Sequence, residues 1–439
     1  MIFNNSKFNQ NWTTKPLYEL GNFNRGKSKH RPRNDNKLFI GGKYPLIQTG
    51  EIKESQLYIR KHTKNYNEFG LKQSKLWPTN TLCITIAANI AETALLGYPM
   101  CFPDSVVGFN AFEDESSELF MHYIFSYIKK AIQNTAIGSI QDNINIDYLT
   151  NLDFKIPTKP YQDKVVKVLS SLDLKIELND HINTELEQMA KTLYDYWFLQ
   201  FDFPNEHGKP YKSSGGKMVY NEELKREIPK DWEVKSLSEI TPVSNASTNP
   251  MFYPNKIFKH YSIPTFDLKK TYELEPGNNI KSNKFVVEEL DLLVAKLNPG
   301  FNRVVYPSKE EDQICSTEFV VWRTPSVYIK NYLYILSQNK HFIDYCTQSA
   351  TGTSNSHRRV SPASMLQYKV AYNQELAELY GKKIDSFIKN YISNQKENQL
   401  LASLRDWLLP MLMNGQVTVK EAEEKLNMAA EQKDEYNGK

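Results

Sequence analysis

The chain repeats itself, and no other property of the sequence narrows its fold so far, because a duplicated chain must build one architecture twice. Trp12-Thr-Thr-Lys-Pro-Leu17-Tyr-Glu19-Leu20 matches Trp232-Glu-Val-Lys-Ser-Leu237-Ser-Glu239-Ile240. Tyr44-Pro-Leu46 then matches Tyr261-Ser-Ile263, and Gly138 pairs with Gly352. Beyond them Ile146, Leu152, Phe154 and Ile156 fall opposite Val360, Leu366, Tyr368 and Val370. The landmarks keep their order, and each half then runs into a long helical pattern. Before that pattern both halves read as strand-rich. Leu82–Ala87 and Val106–Phe109 are expected strands in the first half, and Leu292–Leu297 and Glu318–Trp322 in the second. Helices are expected over 117–134 and 325–348. The halves are therefore expected to be α+β.

The helical segments carry apolar residues at three- and four-residue spacing, the signature of a heptad seam. In the first the seam is Leu169, Leu172, Ile176, Asn179, Asn183, Leu186, Ala190, Leu193 and Trp197. In the second it is Ile384, Ile388, Tyr391, Gln395, Asn398, Leu401 and Leu408, with stop signals at Pro410 and Asn414-Gly415. Pro160 to Phe198 would span roughly 55–60 Å as a helix, more than a compact half needs. Two such helices can pair with each other, antiparallel if a two-fold relates the halves, or with another subunit, or lie on the body of the protein. The first reading divides the chain into globular domains at 1–158 and 205–371, helices at 159–204 and 372–415, and a polar tail at 416–439.

Net charge is only +3, but residues 1–80 hold 15 Lys and Arg against five Asp and Glu. A basic field of that size attracts polyanions, although the same residues would also make an ordinary solvated surface. The four cysteines, Cys83, Cys101, Cys315 and Cys346, are scattered without metal-ligand spacing and read as reduced core thiols. No apolar run is long enough to span a bilayer, and no signal-peptide pattern is seen at Met1–Asn11. A cytoplasmic protein is expected.

Two motifs invite an enzymatic reading. Gly21-Asn-Phe-Asn-Arg-Gly26-Lys27-Ser28 fits the P-loop pattern, which needs a buried strand before it and a helix after it. The downstream Lys29-His-Arg-Pro-Arg-Asn-Asp35 argues against that helix, and a basic loop touching phosphates suits the same residues better. Asn249-Pro250-Met-Phe252 and Asn298-Pro299-Gly-Phe301 resemble an amino-methyltransferase loop with one proline missing; both read as turns. The eight histidines show no metal spacing.

The stretch Lys175-Ile-Glu-Leu-Asn179…Ile182-Asn183…Leu186-Glu187-Gln-Met189-Ala190…Leu193…Trp197-Phe198…Phe201 resembles the central region of type I restriction-modification specificity subunits. So do Gly208–Gly216, followed by Ile228-Pro-Lys-Asp-Trp232, and the closing Leu404-Arg405-Asp-Trp-Leu408-Leu409-Pro410-Met-Leu-Met-Asn-Gly415. The resemblance implies two target-recognition domains, each reading half of a split asymmetric DNA site, and an antiparallel coiled coil that sets their spacing. It implies two modification subunits, carrying adenine methyltransferase activity with S-adenosylmethionine, and restriction subunits using ATP and magnesium. This chain would then hold no cofactor, no metal and no catalytic residue. A rod of roughly 55–60 Å is about one and a half turns of B-DNA, so its ends could place half-sites about one turn, roughly 34–36 Å, apart.

Under that implication Arg25, Lys27, Lys29, Arg31 and Arg33 are candidates for phosphate contacts in the first domain. Gln48, Thr49, Ser139, Gln141 and Asn143 are candidates for base edges or the groove. Lys296, Asn298, Arg303, Ser356, His357, Arg358 and Arg359 are the candidates in the second. Two other classes remain open at this point: a coiled-coil assembly protein that binds no DNA, and a P-loop protein using Gly21–Ser28.

Overall fold

The computed structural model describes residues 6–87, 89–137, 146–352 and 357–425. Contacts divide the chain into two units, Met1–Asn179 with Glu397–Lys439, and Asp180–Lys396. The division cuts both long helical segments, so each unit holds one strand-rich half and the helical stretches that pack on it.

The first unit contains β1 (Thr13–Pro16), β2 (Gly21–Arg25), β3 (Tyr44–Leu46), β4 (Tyr58–Ile59), β5 (Lys64–Tyr66), β6 (Leu76–Trp77), β7 (Leu82–Thr85), β8 (Thr93–Leu96), β9 (Met100–Cys101), β10 (Val106–Ala111) and β11 (Asp153–Ile156). They form a five-stranded sheet β2-β10-β7-β8-β4, a four-stranded sheet β5-β3-β9-β6, and the pair β1-β11. β7 is buried along its whole length, which is why its apolar run is continuous rather than alternating. The helix Glu118–Ile137 packs on β7, β8 and β10 and closes the main core with Phe120, Ile124 and Phe125.

The second unit contains β12 (Met218–Asn221), β13 (Arg226–Pro229), β14 (Glu233–Ser236), β15 (Val243–Ser244), β16 (Ser247–Thr248), β17 (Ile257–Tyr261), β18 (Glu273–Pro276), β19 (Lys284–Val286), β20 (Asp291–Ala295), β21 (Val304–Val305), β22 (Gln313–Cys315), β23 (Phe319–Arg323) and β24 (Lys369–Tyr372). Its sheets are β15-β23-β20-β21 and β16-β19-β22-β17-β18, with the pair β14-β24 and the hairpin β12-β13. The helix Val327–Leu336 packs on β20 and on the helix Gln374–Lys383.

The duplication is therefore architectural. The antiparallel order β2-β10-β7-β8 recurs as β15-β23-β20-β21. The order β5-β3-β9-β6 recurs as β18-β17-β22-β19, each with one parallel pair at its centre. The pair β1-β11 recurs as β14-β24, but its register corrects the sequence match. Thr13 faces Ile156 and Glu233 faces Tyr372, so Ile156 corresponds to Tyr372, and Phe154 to Val370. The shift is two residues. A slip of two keeps every side chain on its face, so an alternating apolar pattern cannot detect it.

Other expectations also change. The helix expected over 325–348 breaks into Val327–Leu336 and Lys340–Gln348, because the Asn339 side chain caps the second by accepting from the His341 N–H. The first long helix, Lys159–Tyr194, runs into a single wider π-type turn at Asp195–Leu199. The C-terminal segment is two helices, Gln374–Lys383 and Asp385–Met413, and Pro410 does not end the second. It ends past Met413, where Gly415 takes a positive φ of 61°. The segment 416–439, expected as a polar tail, is helical over 419–425. Val419 and Ala422 are buried in the core there, and Thr418 and Glu421 cap each other.

Within each unit the two helical stretches run antiparallel. In the first, the Asn179 amide donates to Asn398 Oδ1 at 2.9 Å and Glu397 Oε2 at 3.0 Å, while Arg405 reaches Asp173 at 2.8 Å. In the second, Asn394 donates to Asn183 Oδ1 at 2.9 Å and the Tyr380 hydroxyl to the Ala190 carbonyl at 2.7 Å. Leu172, Ile176, Asn179, Asn183, Ile384 and Ile388 are buried; Leu186, Leu193, Tyr391 and Leu401 are half-buried. The fold is α+β, two duplicated strand-rich halves joined by long helices.

Candidate nucleic-acid interface

In the second unit the hairpin between β20 and β21 forms a loop at 296–303. Asn298 and Asn302 both take left-handed conformations, with φ of 46° and 41°, around the turn Pro299–Phe301. Asparagine tolerates that region better than most residues. The loop is tied to the strand-like stretch 357–360. The Asn298 N–H donates to the Arg358 carbonyl at 2.7 Å, the Arg358 N–H to Asn298 Oδ1 at 3.1 Å, and the Val360 N–H to the Lys296 carbonyl at 3.1 Å. Residues that sequence reading picked separately, Lys296, Asn298, Arg303, His357, Arg358 and Arg359, thus meet in one assembly. Ser356 lies outside the described residues.

The three arginines of this assembly do different work. Arg359 makes a two-pronged pair with Glu318, at 3.0 Å for each prong, and is exposed. Arg303 makes the same arrangement with Asp267, at 2.6 and 2.8 Å. The exposed Arg359–Glu318 pair contributes at most about 1 kcal/mol, so a phosphate can replace its carboxylate at little cost while the guanidinium stays aimed; the Arg303 side chain is only 12% exposed and stays with Asp267. Arg358 instead donates to the carbonyls of Thr347 and Ala350 at 3.4 and 2.7 Å, at the C-terminal end of helix Lys340–Gln348. It holds the loop to that helix.

In the first unit the candidates at 25–33 follow β2. Gly21–Arg25 is a paired strand, and no helix follows it, so the P-loop reading falls. Its two glycines are there for packing: a Cβ at Gly21 would lie 2.4 Å from the Asn110 carbonyl, and one at Gly26 would lie 2.3 Å from that of Pro103. The loop beyond is pinned by Gln73, whose side-chain oxygen accepts from the N–H groups of Lys29 and His30, and by Ser74, which donates to the Lys27 carbonyl. Arg31 and Arg33 both face Asp104, at 3.9 and 2.6 Å. Arg25, Lys27 and Lys29 are exposed and make no side-chain hydrogen bond or ion pair among the described residues. Gln48 and Thr49 form the start of the helix Thr49–Glu54, where Glu51 accepts from the Gln48 N–H. Ser139, Gln141 and Asn143 lie outside the described residues.

Sequence reading missed the groups that hold these cations in place: Asp267, Glu318, Asp104 and Gln73. It also missed Glu310. Burial pushes that carboxyl up, but hydrogen bonds from Lys396 and Lys259, with the charge of Lys396, outweigh burial and bring it to about 2. No local signal marks such residues, since their partners lie far away in the chain. The two Asn-Pro segments are turns, Pro250–Phe252 and Pro299–Phe301. All four cysteines are free and buried, and no helix among the described residues is long and apolar enough to cross a membrane.

Residues 9–188 match the model of the type I restriction modification DNA specificity domain. The MjaIX type I restriction enzyme specificity subunit of Methanocaldococcus jannaschii is 26% identical over 434 residues, covering 94% of this chain and 95% of its own. The HindI specificity subunit of Haemophilus influenzae is 24% identical over 343 residues, 62% of this chain and 71% of that relative. Among solved structures, the type I restriction-modification S subunit from M. genitalium shares the fold, with a TM-score of 0.57 at 17% identity, over 92% of this chain and 97% of that one.

Proposed function

We propose that this chain, similar over most of its length to specificity subunits of type I restriction enzymes, is such a subunit and reads a bipartite DNA site, one half-site per strand-rich half. The observation that carries this is the repeated sheet topology, with a cation-bearing segment in each unit held by backbone and carboxylate contacts. Phosphate contacts fix orientation and base-edge contacts give the sequence. Arg25, Lys27 and Lys29 serve the first role in one unit, and Arg359 in the other, beside Arg303. The chain itself does no chemistry. Methyl transfer from S-adenosylmethionine belongs to two modification subunits docked on it, and ATP- and magnesium-dependent steps to restriction subunits. The long helices set the number of unread base pairs between half-sites.

The test is methylation-sensitive sequencing of a host that expresses this chain with its modification subunit. The expected result is methylated adenines in a split motif with a fixed spacer. Methylation without a motif, or retention of the modification subunit with no salt-sensitive DNA binding, would favour a pure assembly role.

A further inference from the structure

Phe301 is 70% exposed, so its ring meets solvent in the free protein. It is the last residue of the turn Pro299–Phe301, and left-handed Asn298 and Asn302 flank that turn. The backbone of the turn is held by hydrogen bonds. The Phe301 N–H is bonded to the Asn298 carbonyl, Asn302 to that of Pro299, and Asn298 to that of Arg358. One side of the ring carries the Arg303 guanidinium, 4.9 Å from its centroid, and Arg303 is fixed by Asp267. Leu268, next in the chain to Asp267, is 80% exposed. An apolar ring therefore projects from a rigid hairpin beside Arg303 and in the same assembly as Arg359.

We propose that Phe301 is a wedge that enters the base stack of the half-site read by the second unit, partly unstacking one step while the exposed Arg359 of the same assembly holds a flanking phosphate. This rests on the DNA-reading proposal and adds to it a residue that deforms the duplex. Proteins that insert an apolar side chain between base steps pair such a wedge with Arg or Lys contacts to the same groove. A wedge also needs a backbone that does not yield, and the bonded loop supplies one. Specificity then comes partly from how easily the step opens, which depends on sequence even where no base edge is touched.

The experiment uses the full chain assembled with its modification subunits, on the site found by methylation sequencing. 2-Aminopurine replaces adenine position by position across the half-site. For the wild type, fluorescence should rise at one step only; Phe301→Ala should abolish the rise and lower affinity for the specific site by about tenfold. Phe301→Trp should keep both. The melting temperature of Phe301→Ala should match the wild type, since the ring is exposed. A specific wild-type complex with no unstacked step overturns the wedge, as does a Phe301→Ala complex equal to the wild type. Weakening by thymine-to-uracil exchange without unstacking overturns it too, in favour of a methyl contact. A wild-type complex with no sequence preference sinks the DNA-reading proposal, and the wedge with it.

Discussion

Lys330 lies in a helix whose residues Ile329–Leu336 are all buried. Its ammonium donates to the Glu289 and Pro307 carbonyls at 2.5 and 2.6 Å, and it sits 3.8 Å from the Tyr306 ring centroid. Burial lowers its pKa to about 7, against the pull of Asp291 and Glu289. Between pH 7 and its ordinary 10.5 the unfolded chain binds the extra proton, so stability of the second unit should rise with pH across that window. Thermal melts at pH 7 and 9 check this, and Lys330→Met should flatten the slope. His122 works in the acid range. It is buried, shares a hydrogen bond with Thr93 at 3.0 Å, and burial lowers its pKa to about 4. Below its ordinary 6.5 the unfolded chain takes the proton first, so the first unit should lose stability as pH falls from 6.5 to 4. His122→Gln should remove that loss in melts followed over the same range. At the interface, Arg359→Ala should weaken DNA binding and reduce its salt dependence by about one ion. Arg358→Ala should instead loosen the 296–303 loop, seen as faster hydrogen exchange at Asn298. Equal effects of the two in both assays would contradict the division of labour.

Among the elements, the helical seam was the most readable part of the sequence, because heptad spacing is a local pattern. Asn179 and Asn183, which interrupt the apolar spacing, bond across to Asn398 and Asn394. A buried amide pair contributes modestly but disfavours shifted registers, in which the amides lose their partners. Where a helix reading outside the seam fell short, a competing local preference had prevailed: the Asn339 cap splits the helix expected over 325–348. The site was less legible. Its cations could be guessed from charge and loop position, but Asp267, Glu318 and Asp104 come from distant elements, and Arg358 looked no different from Arg359. The ion pair Arg405–Asp173 was equally hidden. Asp173 is buried and also accepts from the Tyr123 hydroxyl at 2.7 Å. Arg405→Met leaves that carboxylate uncompensated and should cost the first unit about 3 kcal/mol, read as a lower urea midpoint with unchanged slope.

For the whole molecule, the proposed ruler makes a length prediction. Deleting one heptad from both Lys159–Tyr194 and Asp385–Met413 should shorten the unread spacer of the methylated motif or abolish methylation. An unchanged spacer in the deletion variant would show that the helices do not measure distance. The duplication itself was visible because paired landmarks survive in order, whereas the two-residue offset at β11 and β24 was invisible to an alternating pattern.

The two units differ in how the chain supplies them. One is a single uninterrupted segment, Asp180–Lys396, while the other needs both Met1–Asn179 and Glu397–Lys439. Leu408, Leu412, Val419 and Ala422 fill the core of the discontinuous unit, and Ser6 and Asn9 bond to the Asn414 carbonyl. During synthesis the ribosome therefore releases everything the second unit requires before the first unit has its last core residues. The half that begins first finishes last, and it waits with part of its apolar face uncovered until Leu408–Ala422 emerge.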